Sequence, residues 1–242
     1  LGDRLFMYTR NLGASRTTTR LTVCGEADVY GITLDNTSGV SLDNIPMRGC
    51  SGTIFTSISR STLAPYYDKA NARFIILQYG GNSVPYLKTG KSIGRYMKEL
   101  RRQVDYLKAQ APQARFLFIG PSDMATSVNG VMQTYPMLPQ VVDSLKNMAD
   151  SCGIAYWDLF AAMGGRGSMV KWVDSHLAGP DYVHFTPKGA RHVGNILFET
   201  LELYHKFYRL RTGKDVPQPE TDSLSVETDT LCAAEYTINQ SL

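Results

Sequence analysis

Between residues 40 and 210 the apolar positions of the chain fall into two alternating kinds of run. Arg73 to Tyr79 and Ala114 to Ile119 are short and almost continuously apolar, as expected of strands covered on both faces. Val40 to Met47 and Ile154 to Trp157 read as further strands. Ile93, Met97, Leu100, Val104 and Leu107 recur with a 3.6-residue period and predict an amphipathic helix over Lys91 to Gln110. Leu138, Val141, Val142, Leu145, Met148 and Ala149 mark another, with Gly153 where a C-cap belongs. Thr53 to Ser59 begins an earlier helix, and Ala190 to Leu210 is the last. Strands alternating with helices predict an α/β domain, a parallel sheet sandwiched by helices, with its sites at the carboxyl ends of the strands.

The two ends of the chain follow other patterns. Leu5 to Thr9, Thr19 to Cys24 and Asp28 to Leu34 are rich in Thr, Val, Tyr and Leu between turn residues, and no helix is apparent. Residues 1–34 therefore read as the closing strands of an all-β module. From Thr212 the chain is polar, with Pro217, Pro219 and many Ser, Thr, Asp and Glu, so residues 212–242 are expected to be a disordered tail. Residues 35–211 remain as the α/β domain.

Composition removes several function classes. The net charge of +3 is small, and the basic cluster from Lys98 to Lys108 alternates with the apolar stripe of its helix, which makes no case for nucleic acid. No apolar run approaches the roughly 20 residues of a membrane span. Cys24, Cys50, Cys152 and Cys232 are widely spaced and suggest neither a zinc site nor a disulfide framework, and they do not decide the compartment. The sequence opens at Leu1, without an initiator Met and inside β-like sequence, so a fragment is expected.

The candidate chemistry centres on Asp181-Tyr182-Val183-His184-Phe185-Thr186-Pro187-Lys188-Gly189. An Asp and a His three apart can form the acid–imidazole pair of a nucleophilic hydrolase, the Asp holding one tautomer and the free ring nitrogen taking a proton from the nucleophile. Thr186 is a good N-cap and Pro187 suits the first helical position, so the pair would sit on a loop pinned by a capped helix. Upstream, Gly49 could offer a backbone N–H and Asn82 a side-chain amide to a developing oxyanion. Each has a plainer alternative, since Gly after a strand and Asn after two Gly are also turn residues. His176, His192 and His205 read as surface or helix residues, and Asp158, after a strand, either supports the site or, the plainer reading, caps the short helix that follows. Gly164 to Gly167 is not followed by the Lys-Ser/Thr of a phosphate loop. Trp157, Trp172 and Tyr182 could line a sugar site, with Trp157 the one more suited to the core.

As an ordered set, the Gly49 loop, Gly80-Gly81-Asn82 and Asp181/His184 resemble the second, third and fifth signature blocks of the SGNH (GDSL) hydrolase superfamily. Tyr156-Trp157-Asp158-Leu159, Ala161-Ala162-Met163-Gly164-Gly165, Leu177-Ala178 and His184-Phe185-Thr186 resemble its peptidoglycan O-acetylesterase and carbohydrate acetylesterase branch. The resemblance implies a flavodoxin-like sheet, a serine esterase that removes O-acetyl groups from a polysaccharide, and a periplasmic or secreted protein. It implies Asp181 and His184 as catalytic residues, Gly49 and Asn82 as the oxyanion hole, and no metal or organic cofactor. In that branch a β-sandwich, carbohydrate-binding-like module lies between the first and second blocks, and residues 1–34 would be its tail. The first block, with its Ser, is absent: Gly2-Asp3-Arg4 lacks the Ser. The nucleophile is therefore expected upstream of Leu1, with Ser51 as the fallback. A non-catalytic carbohydrate-binding protein on this scaffold, or an O-acyltransferase with the same site, are the alternatives.

Overall fold

The structure is a computed structural model and describes residues 5–12, 20–26, 28–36 and 38–213. In chain order its elements are α1 (Arg60–Lys69), β1 (Phe74–Gln78), α2 (Gly90–Gln110), β2 (Arg115–Ile119), β3 (Ala125–Val128), β4 (Val131–Thr134), α3 (Leu138–Ser151), β5 (Ala155–Trp157), α4 (Leu159–Ala162), α5 (Ser168–Asp174) and α6 (Pro187–Thr212). Short 3₁₀ turns cover Phe55–Ser57 and Gly81–Tyr86. Nearly all of the expected tail lies outside the described residues.

β1, β2 and β5 form a parallel sheet in the order β1-β2-β5, with Phe74 opposite Arg115 and Leu117 opposite Ala155. Helices join these strands, and the result is the parallel sheet flanked by helices that the alternating pattern predicts. Phe116 and Phe118 of β2 meet Leu100, Val104 and Leu107 of α2 and Leu138, Val141 and Leu145 of α3 in one buried cluster. Each such side chain, fully buried, is worth about 1.5–3 kcal/mol. Local signals set the helix ends. Thr89 and Ser92 make a reciprocal capping box at the start of α2. At the end of α3, Gly153 takes a φ of 63° immediately after the C-cap Cys152.

Three expectations are corrected. Val40 to Met47 is not a strand of the sheet, and Val40, Leu42 and Ile45 are exposed. The described residues of the three earlier segments, 5–9, 20–24 and 28–34, also carry no strand, and Tyr8, Tyr30 and Leu34 are exposed. The reason is common to all: β-propensity makes a strand only where a partner accepts its backbone hydrogen bonds, and none does among the described residues. Burial on both faces holds for β2, whose Phe116, Leu117, Phe118 and Ile119 are all buried. It fails for β1, where Leu77 is buried but Phe74 is 50% and Ile76 40% exposed. Among the described residues β1 is an edge of the sheet with one uncovered face.

One element has no counterpart in the sequence reading. β3 and β4 form an antiparallel hairpin, from Ala125 opposite Thr134 to Val128 opposite Val131. Its two-residue turn, Asn129-Gly130, has φ of 52° and 81°, the left-handed pair that matches strand twist in a tight hairpin.

The chain divides into two compact units, Leu1–Ile196 and Leu197–Leu242, the boundary falling within α6. The sheet, its helices and every candidate site residue belong to the first. The described part of the second is the end of α6, with Phe198, Tyr204 and Phe207 exposed.

Candidate active site

The loop that carries Asp181 and His184 is fixed by its own backbone. Thr186 caps α6: its hydroxyl accepts from Gly189 N–H at 3.1 Å and donates to the His176 carbonyl at 2.9 Å. Thr186 N–H donates to Leu177 O, Gly179 N–H to His184 O, and Ala178 pairs with Phe185 in an isolated antiparallel bridge. The first turn of α6 lies so close to this strap that a Cβ on Gly189 would run into the Leu177 carbonyl. Only Gly fits there.

Within the loop, Asp181 organises three donors. Oδ1 accepts the N–H groups of Val183 and His184, each at 3.0 Å, and Oδ2 is 2.7 Å from His184 Nδ1. These bonds lower the Asp181 pKa to about 2, the His184 N–H contributing most and the imidazole next. A carboxylate held below its ordinary range adds stability that is complete above its unfolded pKa and is lost as pH falls through the folded value. The carboxyl carbon of Asp181 is therefore expected to titrate near pH 2 by NMR, so that the aspartate stays ionised across the neutral range. A midpoint near the ordinary value of about 4 would show that the two N–H bonds are not held in solution.

Nδ1 of His184 is thus committed to Asp181, while Nε2 has no hydrogen-bond partner among the described residues and the side chain is 81% exposed. Tyr182, between the two, has a φ of 58°, a left-handed conformation that costs a non-Gly residue about 1–2 kcal/mol. Its carbonyl accepts from Ala125 N–H at 3.0 Å, which ties the loop to the root of the hairpin.

The Gly49 loop is a turn closed by Cys50 N–H on Met47 O at 3.1 Å. Gly49, third in that turn with a φ of 71°, occupies a position that excludes most side chains. Its N–H has no acceptor among the described residues. The Tyr96 hydroxyl, from α2, donates to Ser51 O at 2.8 Å and anchors the loop. Burial pushes the Tyr96 pKa up to about 12, so it remains a donor. Asn82 stands in the 3₁₀ turn that follows β1 and donates its amide to Cys50 O at 3.0 Å.

The structure thus brings Asp181 to His184, and Asn82 to the Gly49 loop. Between these pairs lies the segment that follows β2: a Cβ on Gly81 would be 3.8 Å from Met124 Sδ, and Ala125 holds Tyr182. The run of contacts from the Gly49 loop to His184 follows the carboxyl edge of the sheet. Ser51 offers its carbonyl, not its hydroxyl, to Tyr96, and no hydrogen bond among the described residues joins it to His184. A groove of about 630 Å³ between Thr56, Arg60, Arg102 and Tyr106 contains none of these residues.

Asp123 is a support the sequence reading missed. It is fully buried, and its Oδ2 accepts Met169 N–H at 2.8 Å and the Ser168 hydroxyl at 3.3 Å, while Oδ1 accepts Met124 N–H. It fixes the start of α5, which carries Trp172. Asp123→Ala would orphan two buried N–H groups at about 1–3 kcal/mol each, and an unfolding free energy reduced by about 2–4 kcal/mol is expected from denaturant melts. Trp172 is itself a correction. It does not line a sugar site but is buried, donates Nε1–H to Met163 O at 3.1 Å and packs on Phe185 and His192. Trp157 is likewise buried, because β5 turns it into the interior, while Tyr182 is half-buried. Asp158 caps α4 through Ala161 N–H.

The profile of the GDSL-like lipase/acylhydrolase family matches residues 12–192. Among solved structures, a peptidoglycan O-acetylesterase aligns with 59% of this chain at 26% identity and a TM-score of 0.52. The match spans 39% of that longer chain. An acetyl xylan esterase aligns over 57% of this chain and 73% of its own, at 16% identity and a TM-score of 0.41. The periplasmic domain of a lipopolysaccharide acetyltransferase from Salmonella ser. Paratyphi A aligns over 57% and 60%, at 13% identity and 0.41. No curated protein matches the chain in sequence.

Proposed function

The chain belongs to the GDSL-like lipase/acylhydrolase family, within the SGNH hydrolase superfamily, and from that premise we propose that it is part of a serine esterase that removes O-acetyl groups from a polysaccharide. One observation carries the reading: Nδ1 of His184 is bound to an ionised Asp181, and Nε2 is exposed and unpartnered among the described residues. That is the state of a general base awaiting a nucleophile. A serine hydroxyl attacks the acetyl carbonyl as Nε2 takes its proton. Asp181 holds the imidazole and stabilises the imidazolium. Gly49 N–H and the second amide hydrogen of Asn82 receive the developing oxyanion. The imidazolium returns its proton to the departing sugar oxygen, and water, deprotonated by the same His184, then releases acetate and restores the serine. No step draws on a metal or organic cofactor.

We assign the nucleophile to a first block upstream of Leu1. Among the described residues the outer edge of β1 is unpaired and suits one further parallel strand, its half-exposed Phe74 and Ile76 suit a covering layer, and the exposed Phe6, Tyr8, Tyr30 and Leu34 suit the tail of a β-sandwich module. Residues 35–211 are then the hydrolase domain and 212–242 its polar tail. A periplasmic or secreted location accords with a polysaccharide substrate. Among the described residues no helix is long and apolar enough to cross a membrane.

The test is acetate release from O-acetylated xylan and O-acetylated peptidoglycan. The 242-residue chain should release little or none, and a chain extended upstream through a Gly-Asp-Ser block should hydrolyse one of them. Glycan binding without hydrolysis in the extended protein would favour a non-catalytic binding protein, and transfer of acetyl to a sugar acceptor in preference to water would favour an acyltransferase.

A further inference from the structure

We propose that the outward face of the β3–β4 hairpin is the surface on which the glycan chain of the substrate lies; the inference rests on the esterase reading above. The hairpin is rooted between the two halves of the candidate site. Met124 lies beside Gly81, next to Asn82, and Ala125 N–H holds the carbonyl of Tyr182, two residues from His184. Its second strand is fastened by Gly167 N–H on Thr134 Oγ1 at 2.7 Å. Ala125 and Thr134 are buried at the root, so the face they share with Met132 and Ser127 is turned to the body there and opens toward the tip, where Met132 is half-buried and Ser127 exposed. The opposite face carries two cross-strand pairs, Thr126 with Gln133 and Val128 with Val131, of which Gln133 and Val131 are exposed and Thr126 and Val128 half-buried.

The chemistry of that face selects its occupant. From Met124 to Val142 the chain holds no charged residue, whereas exposed hairpin edges are commonly guarded by charge. A hydroxyl and an amide near the root, with two valines near the tip, match a sugar ring's hydroxyl edge and its apolar C–H face. They offer no cation to an anionic ligand. The tight Asn129-Gly130 turn fixes the register, so these groups are presented on a backbone that needs no ordering on binding.

The test uses the 242-residue chain, since binding needs no nucleophile. Its dissociation constants are measured for O-acetylated xylan and for peptide-free O-acetylated peptidoglycan strands, at low and high sodium chloride. The double variant Thr126→Ala/Gln133→Ala is compared, and Val131→Gln separately, with thermal melts as a check on folding. The expected result is that one glycan binds with a constant insensitive to salt, that the double variant weakens it about tenfold through two lost hydrogen bonds, and that the melting midpoint stays put. Val131→Gln should weaken binding a few-fold. Unchanged binding in both variants, or binding that collapses in salt as contacts between exposed charges would, overturns the inference and leaves the esterase reading standing. Failure of the wild-type chain to bind either glycan overturns the inference together with the polysaccharide substrate. Hydrolysis of a small aryl acetate by the extended protein would then show that the esterase chemistry survives alone.

Discussion

His184→Ala, in the chain extended to include its nucleophile, is expected to lower kcat for acetyl-ester hydrolysis by about 10⁴-fold or more. The size follows from the geometry. In the proposed mechanism a single imidazole, with Nδ1 at 2.7 Å from Asp181, is the base in acylation and in deacylation, so its removal would stop both half-reactions together. KM should move little, because the ring contributes to proton transfer and not to holding the glycan. The measurement is steady-state turnover of an aryl acetate beside an O-acetylated glycan. A loss of less than about tenfold on both would mean that another group takes the proton.

Asn82→Ala is expected to cost about 10²–10³-fold in kcat, the scale of one oxyanion donor. Asn82 follows β1 on a short 3₁₀ turn, and its bond to Cys50 O orients the amide and leaves the second hydrogen for the substrate. An oxyanion donor acts in the transition state, so kcat should carry the loss. If KM rose and kcat held, Asn82 would be a ground-state contact. The same bond spans 32 positions in sequence, so Asn82→Ala also frees the Gly49 loop, and a double variant with Tyr96→Phe, which removes the other anchor at Ser51 O, should show non-additive losses.

Those two residues also mark what the sequence could and could not disclose. Asp181 and His184 lie three apart and pair through local backbone turns, so spacing alone points to them. The helical stripes of α2 and α3 and the apolar cores of β1, β2 and β5 are local patterns too, and each appears where its periodicity puts it. Val40 to Met47 has the composition of a strand, but a strand is defined by its partner, and composition carries no record of one. Trp172 reads as a sugar platform because aromatic exposure depends on tertiary packing, here against Phe185 and His192. The hairpin could have been read. Asn129-Gly130 between Val128 and Val131 is a strong short-range signal for a tight turn. Asp123 gave no such signal, since its partners lie about 45 positions away on α5.

The central claim is a serine nucleophile served by His184, and covalent trapping tests it most directly. The protein extended upstream of Leu1 is treated with a fluorophosphonate, which reacts with an activated serine, and the adduct is mapped by peptide mass spectrometry. The account predicts one phosphonylated serine, upstream of Leu1 in a Gly-Asp-Ser block, and loss of labelling in His184→Ala. An adduct on Ser51, or full acetylesterase activity with no adduct on any serine, would contradict it.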